Sequence, residues 1–390
     1  MKTERIRRLI RIFVLSLVFV HIAMAAVFIS HEFFNFTSSN SAIYVLEGRY
    51  GGIEIKRDLL LEEADRLIFM LDANCVFNFL MRSLAIAKRE PILELSWDSE
   101  VGVGGVKQFR SDGSMLSLCF SRFESEGKRP QGLFLGGDLP YGDTSRANDH
   151  NSSGFGYYDG EDWHHIWCVS NEGIKVLDEK PTVVLPTEWK YLGSKVLKNT
   201  EEEVILESDH ELVLKKSRIQ MKRFVSFRAG EDYFILKVRF TNIGSEPVVY
   251  GYSWGDEPWV GHYGASRGDV GWYADGLIKT ETLISPTRYR YVGYWDYGND
   301  AAGESHNFSG YANFVEWISP TPSFVFLSNS IERCCNESVP LSSSSDRVIS
   351  IGWLNQLLLP GESRDYTLAI GMARVNPKTG MPQKPALSFN

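Results

Sequence analysis

The sequence predicts a mainly β protein, a large antiparallel β-sandwich, and three observations carry that prediction. From about residue 92 onward, apolar and polar residues alternate in runs rich in Val, Ile, Phe, Tyr and Trp, as in EVILESDHELVLKKSRIQMKRFVSF (203–227) and YFILKVRFTNIGSEPVVYGYSW (233–254). Gly and Pro punctuate these runs at short intervals up to residue 375, and no stretch between them is long enough for the crossover helices of a parallel sheet. A hydrophobic content of 43% with 23% charged residues over 390 positions fits a folded chain with a sizeable core rather than a disordered one.

Read in order, the chain begins with MKTERIRRLIR, which is basic, and continues with IFVLSLVFVHIAMAAVFIS (12–30), interrupted only by His21. This pattern reads in two ways. Ala23-Met24-Ala25 supplies an A-x-A cleavage site after a short apolar run, as in a secretory signal. The apolar run also continues to Ile29, close to the length that spans a bilayer, as in a signal anchor with its Arg-rich end inside. Both readings export residues 31–390, and the second makes the membrane a partner through the uncleaved segment. FNFTSSNSA (34–42) is a polar spacer. In residues 56–91 Leu60, Ala64, Leu67 and Leu71 recur at three and four, which predicts one or two helices stopped by Pro91. The organisation expected is therefore an export segment (1–30), a spacer and helical section (31–91), the sandwich (92–375) and an extended, loosely held tail (376–390).

Several classes are disfavoured. The net charge of −8 comes without a basic face to track phosphates, so nucleic acid is not an expected partner. Neither GxxxxGK[ST] nor GxGxxG occurs, so no cofactor is expected; the G-x-S-x-G match at Gly251-Tyr252-Ser253-Trp254-Gly255 lies in a predicted strand rather than at a strand-to-helix elbow, so it does not present a nucleophilic serine. Five cysteines, at 75, 119, 168, 334 and 335, contain no C-x-x-C pair for a zinc cage, and an odd count leaves at least one unpaired within a single chain. Sequons begin at Asn35, Asn151, Asn307 and Asn336 and matter only in a glycosylating host. His164 and His165 are neighbours on a predicted strand, so they point to opposite faces and do not converge on one metal ion. Asp269 and Asp275 offer oxygen ligands for calcium near glycine turns, without EF-hand spacing. The expectation is no metal.

Three segments break the β texture: 136–165, 253–276 and 288–317. The second, SWGDEPWVGHYGASRGDVGWYADG, packs three tryptophans, two tyrosines, four carboxylates, a histidine and an arginine among six glycines. A core takes aromatics without acids, and a solvated linker takes acids without aromatics. Flat rings that cover the C–H face of a sugar, beside carboxylates that bond its hydroxyls, account for both. Loops on a rigid sandwich are where such a surface belongs. The competing reading is that the rings pin long loops and the acids solvate them. On the sugar reading, Trp254, Trp259, Tyr263, Trp272, Trp295 and Trp163 supply ring area. Arg267, Asp269, Asp138 and His164 contact ligand or hold the loops. Asp256, Glu257, His262 and Glu332 are the candidates for acid–base chemistry, and the expected partner is a sugar or polysaccharide.

YFILKVRFTNIGSEPVVYGYSWGDEPW (233–259) resembles the middle of a galactose-mutarotase-like domain, the β-sandwich of the aldose 1-epimerases, and LLLPGESRDYTLAIG (357–371) is similar to the PGE turn and last strand that close such domains. The resemblance implies a supersandwich fold and action on sugars. In the family an N-x-G turn precedes a strand that leads to a catalytic histidine, and a glutamate acts as general base. Here Ser253-Trp254-Gly255-Asp256-Glu257 stands where that histidine belongs, His262 follows a few residues later, and the counterpart of the glutamate is Glu332 or Glu337. Carbohydrate binding, with epimerase, hydrolase or lyase chemistry on the bound sugar, is the reading that follows. The alternative is a catalytically silent structural or partner-binding module of the cell envelope or surface.

Overall fold

The two-residue apolar period of the sequence is realised as antiparallel strands. A computed structural model of the chain describes residues 91–120, 131–136, 154–161, 163–167, 170–177, 182–184, 188–214, 217–256, 258, 260–261, 269–297, 310–329, 336–341 and 347–388. The export segment and the helical section expected before residue 91 lie outside the described residues. No described helix is long and apolar enough to cross a membrane.

Strands β1 (Ile92–Asp98), β2 (Val103–Phe109), β3 (Met115–Phe120), β4 (Phe155–Tyr158) and β5 (Trp163–Trp167) form a five-stranded meander in chain order. β6 (Ser170–Val176) and β7 (Thr182–Val184) start a six-stranded sheet. β8 (Lys190–Asn199), β9 (Glu203–Val213), β10 (Arg218–Arg228) and β11 (Tyr233–Asn242) start a ten-stranded one. The chain then passes between these two sheets. β12 (Val248–Asp256), β15 (Thr282–Ile284), β18 (Phe324–Ser328) and β19 (Val348–Leu358) join the smaller; β13 (Asp269–Tyr273), β14 (Gly276–Ile278), β16 (Tyr291–Asp296), β17 (Tyr311–Ser319), β20 (Ser363–Asn376) and β21 (Met381–Gln383) join the larger. The order of the smaller sheet is β15-β18-β19-β12-β6-β7; that of the larger is β14-β13-β16-β17-β20-β11-β10-β9-β8, with β21 on β20.

Alternation sorts each strand into two faces. On β10, Ile219, Met221, Arg223, Val225 and Phe227 are buried, while Lys222 between them pairs with Glu207 of β9 at 3.4 Å on the other face. The buried face of the ten-stranded sheet receives both smaller sheets. Tyr250 of β12 meets Tyr366 of β20 hydroxyl to hydroxyl at 2.7 Å. Phe155 of β4 packs edge-on against Phe227 and Phe234, and the Trp167 Nε1–H of β5 donates to the Gly371 carbonyl at 3.1 Å. Among the described residues a charged pair, Arg223 with Glu172, is enclosed in this core. Arg223 donates twice to Glu172, both at 2.6 Å, and once to the Leu133 carbonyl, while Tyr252 Oη donates to Glu172 at 2.9 Å and Phe134 covers the guanidinium at 4.2 Å.

A second apolar cluster lies on the opposite face of the large sheet, with Tyr233, Trp272, Trp295 and Phe314 at its centre. The C-terminal residues close over it, which corrects the expectation of a loosely held tail. β21 pairs with the end of β20, and Met381 and Leu387 pack on the cluster. Lys384 Nζ reaches Glu316 at 2.7 Å above the rings of Tyr291 and Phe314. Ser388 donates its N–H to Tyr233 Oη at 2.7 Å. Apolar area on this face is what holds a tail that composition alone reads as free.

Candidate functional site

The ladder between β13 and β16 brings two acids face to face. Its register opposes Asp269 to Asp296, Val270 to Trp295, Gly271 to Tyr294 and Trp272 to Gly293. Directly opposed residues share a face, with Cβ atoms about 5 Å apart. Both carboxyl groups are buried. They lie on the face that carries Tyr294, which looks toward the six-stranded sheet and donates to the Val348 carbonyl at 3.2 Å. Trp272 and Trp295 alternate to the other face and enter the cluster under the tail. Gly293 lets the strands close: a Cβ there would meet the Asn313 carbonyl oxygen at 1.9 Å, the same oxygen that accepts from Trp272 Nε1 at 2.8 Å.

The electrostatics of the pair follow from its burial. Among the described residues neither carboxyl oxygen of Asp269 has a hydrogen-bond partner within ordinary range. Burial first, and the neighbouring charge of Asp296 second, raise its pKa well above the usual carboxylate value; the Arg347 guanidinium and the nearby Val260 N–H oppose this without overcoming it. Asp269 therefore holds a proton that ordinary carboxyls have lost, beside a second carboxyl. Arg347, buried just before β19, is fixed from behind. Its Nη1–H donates to Asn329 Oδ1 at 3.0 Å. The Asn329 N–H and Nδ2–H donate to Glu281 Oε1, both at 3.1 Å, and Glu281 Oε2 accepts from the Asn336 N–H at 2.8 Å.

The same end of the sandwich carries the flanks of the loops that sequence composition singles out. Asp256, the last residue of β12, opposes Ile349 near the start of β19 and Ser170 at the start of β6. Ser328, ending β18, opposes Val348. The Tyr294–Val348 hydrogen bond shows that the ends of the two sheets coincide. Gly261 forms a bridge with His165 of β5. The chain therefore leaves and re-enters the described strands around 257–268, 297–310 and 329–347 at the end where Asp269 and Asp296 meet.

The expected site residues separate into several places. Trp254 is wholly buried in the main core, 5.7 Å from the Trp167 ring, and offers no face to a sugar. Trp272 and Trp295 are likewise buried, on the wrong side of the sheet for Asp269. The three rings thus belong to two cores, because neighbours on a strand diverge and β12 lies in a different sheet from β13 and β16. Trp163 is half-buried against Tyr158 at 5.4 Å, and His164 binds Asp159 at 2.7 Å. Trp163 and His164 are cross-strand neighbours of Tyr158 and Tyr157 on the five-stranded sheet. Asp275 sits past the far end of β13 from Asp269 and binds Arg288 and Tyr289, so the calcium pairing of those two aspartates does not form. Asp256 is placed by its backbone at the end of β12. Asp138, Glu257, Trp259, His262, Tyr263, Arg267 and Glu332 lie outside the described residues. Among the described residues no group of three His, Cys, Asp or Glu side chains could hold a metal ion.

Asp296, Arg347, Asn329 and Glu281 are the members that sequence reasoning missed. A signal for Asp296 was present. DVGWY (269–273) and YVGYWD (291–296) read as near mirror images, and antiparallel pairing of two such strands sets their terminal aspartates opposite one another.

No protein-family model matches the sequence, and no curated protein matches it. Among solved structures, the fold is similar to a galactose mutarotase-like protein from Clostridium acetobutylicum at 9% identity, over 73% of this chain and 99% of that one, with a TM-score of 0.37. It is similar to the GalM/aldose epimerase homologue from C. elegans at 10% identity, over 70% and 100%, with a TM-score of 0.38. The galactosidase domain of an α-galactosidase–sucrose kinase is similar at 8% identity, over 72% of this chain and 42% of that one, with a TM-score of 0.39.

Proposed function

We propose that this is an exported carbohydrate-binding protein of galactose-mutarotase-like type, with its sugar site at the end of the sandwich beside Asp269 and Asp296. One observation carries the reading: a buried carboxyl that keeps its proton and has no hydrogen-bond partner within ordinary range among the described residues stands directly opposite a second carboxyl. An unpartnered polar group in a dry setting costs stability, and such sites are retained where a ligand completes them. A protonated carboxyl donates and its neighbour accepts, which suits a ligand whose hydroxyls do both. The aromatic and acidic composition of the loops that flank this end supports the same class of ligand.

The pair also supports a chemical reading. Interconversion at an anomeric carbon needs an acid to protonate the ring oxygen and a base to take a proton. Paired-carboxylate hydrolysis instead needs two groups about 5 Å or more apart on either side of the scissile bond. A carboxyl that keeps its proton directly opposite a second carboxyl supplies an acid and a neighbouring base for the former, so epimerase-like chemistry is preferred to hydrolysis. The alternative is a catalytically silent structural or partner-binding module of the envelope.

A glycan array probed with the full chain tests binding, followed by incubation of any bound sugar and NMR of its anomeric ratio. Asp269→Asn and Asp296→Asn are expected to lose binding while keeping the parental fold. Binding unchanged in both variants would place the site elsewhere; binding without conversion would leave a lectin-like protein. Export is checked by fusing a reporter active only in the cytoplasm to the C-terminus; strong signal would refute it.

A further inference from the structure

A polar hollow of about 240 Å³ opens on the flank of the sandwich, and Pro91, Arg110, Asp112, Gly230, Asp232 and Arg374 line it. Four separate parts of the chain build it: the residue before β1, the β2–β3 turn, the β10–β11 turn and the far end of β20. Asp232 is its keystone. One carboxylate oxygen accepts from Arg110 Nη2 and the other from Arg374 Nε at 3.1 Å. The Arg110 and Asp232 side chains are only 11% and 16% exposed, so this clamp is set in the fold. Arg374 is more open, at 46%, and is steadied from its other side by the Tyr311 ring at 5.4 Å.

The chemistry left over defines a ligand. Arg374 spends Nε on Asp232, and its two Nη groups remain as donors. Asp112 accepts the Ser114 N–H on Oδ1 at 2.9 Å, the nearby Ser114 hydroxyl also favours its charged form, and a carboxylate with about four lone-pair sites keeps acceptor capacity beyond these. Two arginines and two aspartates sum to no net charge. An anion would gain from the guanidiniums but meet Asp112, and a cation would meet the reverse. A neutral ligand whose hydroxyls donate to Asp112 and accept from Arg374, with an apolar side for the Pro91 ring, fits all of the leftover groups. We propose that this hollow is a second binding site, for one uncharged sugar residue, separate from the Asp269–Asp296 site.

Ligand-observed saturation-transfer NMR on the full chain tests it, with methyl β-D-galactopyranoside and methyl α-D-glucopyranoside as neutral probes and methyl β-D-glucuronide as the charged one. In the Asp269→Asn variant, transfer to at least one neutral probe is expected to persist, and adding Arg374→Ala is expected to weaken it about tenfold or more. Asp112→Asn, on an exposed turn, is expected to shift preference toward the glucuronide, because the hollow then carries net positive charge. That variant decides the matter if Arg374→Ala does not fold. Absence of transfer in Asp269→Asn, transfer indifferent to Arg374→Ala, or an unshifted preference in Asp112→Asn would each overturn the proposal. Equal binding by the parent and Asp269→Asn, lost on Arg374→Ala, would support this site and count against the first.

Discussion

Asp269 and Asp296 occupy directly opposed positions on adjacent antiparallel strands, both buried, where two charges would repel. The folded chain meets this by keeping Asp269 protonated. Its pKa is raised above the unfolded value, so the folded state holds a proton the unfolded state gives up, and stability from this group falls as pH rises above about 4. Asp269→Asn mimics the protonated form at every pH. The variant is expected to match the parent near pH 4 and to gain on it above that, by up to about 1.4 kcal/mol per pH unit until the folded pKa is passed. Urea midpoints across that range read the difference. A gap that does not widen with pH would mean that the carboxyl is ionised in the fold.

His210 gives an acid limb of opposite origin. Its ring stacks on Phe134 at 5.2 Å and 13°, and burial first, with Arg223 second, lowers its pKa to about 3. Above the ordinary histidine value of about 6.5 neither state is protonated and the group is silent. Below it the unfolded chain takes a proton that the folded chain refuses, so stability declines as pH falls from 6.5 toward 3. At pH 5 the loss is about 2 kcal/mol. His210→Phe keeps a ring and removes this titration, so between pH 7 and 5 the parent should lose about 2 kcal/mol relative to the variant. Parallel curves for the two proteins would rule the mechanism out.

The strands were legible because alternation is a local property. Val204, Leu206, Leu212, Ile219, Met221 and Val225 are buried as their period says. The site was legible only in part. Composition drew attention to 253–276, and Asp269 from that stretch is a member of the pair. Composition could not say that Trp272, three residues on, faces the other way, or that Trp254 lies in another sheet. An aromatic beside an acid in sequence is on the opposite face when the strand is extended, so a ring–carboxylate wall must be assembled across strands, and pairing is long-range information. The same holds for Glu172 and Arg223, 51 residues apart, which nothing local connects.

That second pair makes a separate prediction. Arg223 is fully enclosed and its two Nη groups are committed to Glu172. Glu172→Gln leaves a buried guanidinium without its counter-charge, and a loss of about 3–5 kcal/mol is expected. Replacing both partners by apolar side chains, Glu172→Leu with Arg223→Met, removes the stranded charge along with the pair and should recover most of that loss. Chemical denaturation of the three variants forms the test. A double variant no more stable than Glu172→Gln would show that the pair contributes more than mutual neutralisation, with the Tyr252 and Leu133 contacts as the next suspects.

The tail supplies a prediction with an optical readout. Lys384, Leu387 and Ser388 cover the cluster that holds Trp272 and Trp295. Ending the chain after Gln383 removes the Lys384–Glu316 ion pair and the Ser388–Tyr233 hydrogen bond and uncovers apolar area on the outer face of the large sheet. The loss should be about 1–3 kcal/mol, within the range of substitutions that remove a buried contact and a partly buried ion pair. Tryptophan emission should shift to the red as Trp295 and Trp272 gain water. The fold should survive, because β20 and β17 keep their ladder without the tail. Emission and melting temperature both unchanged would mean that residues 384–388 rest on this face without stabilising it. A red shift with the sandwich intact would show that the face is held dry by its own C-terminus.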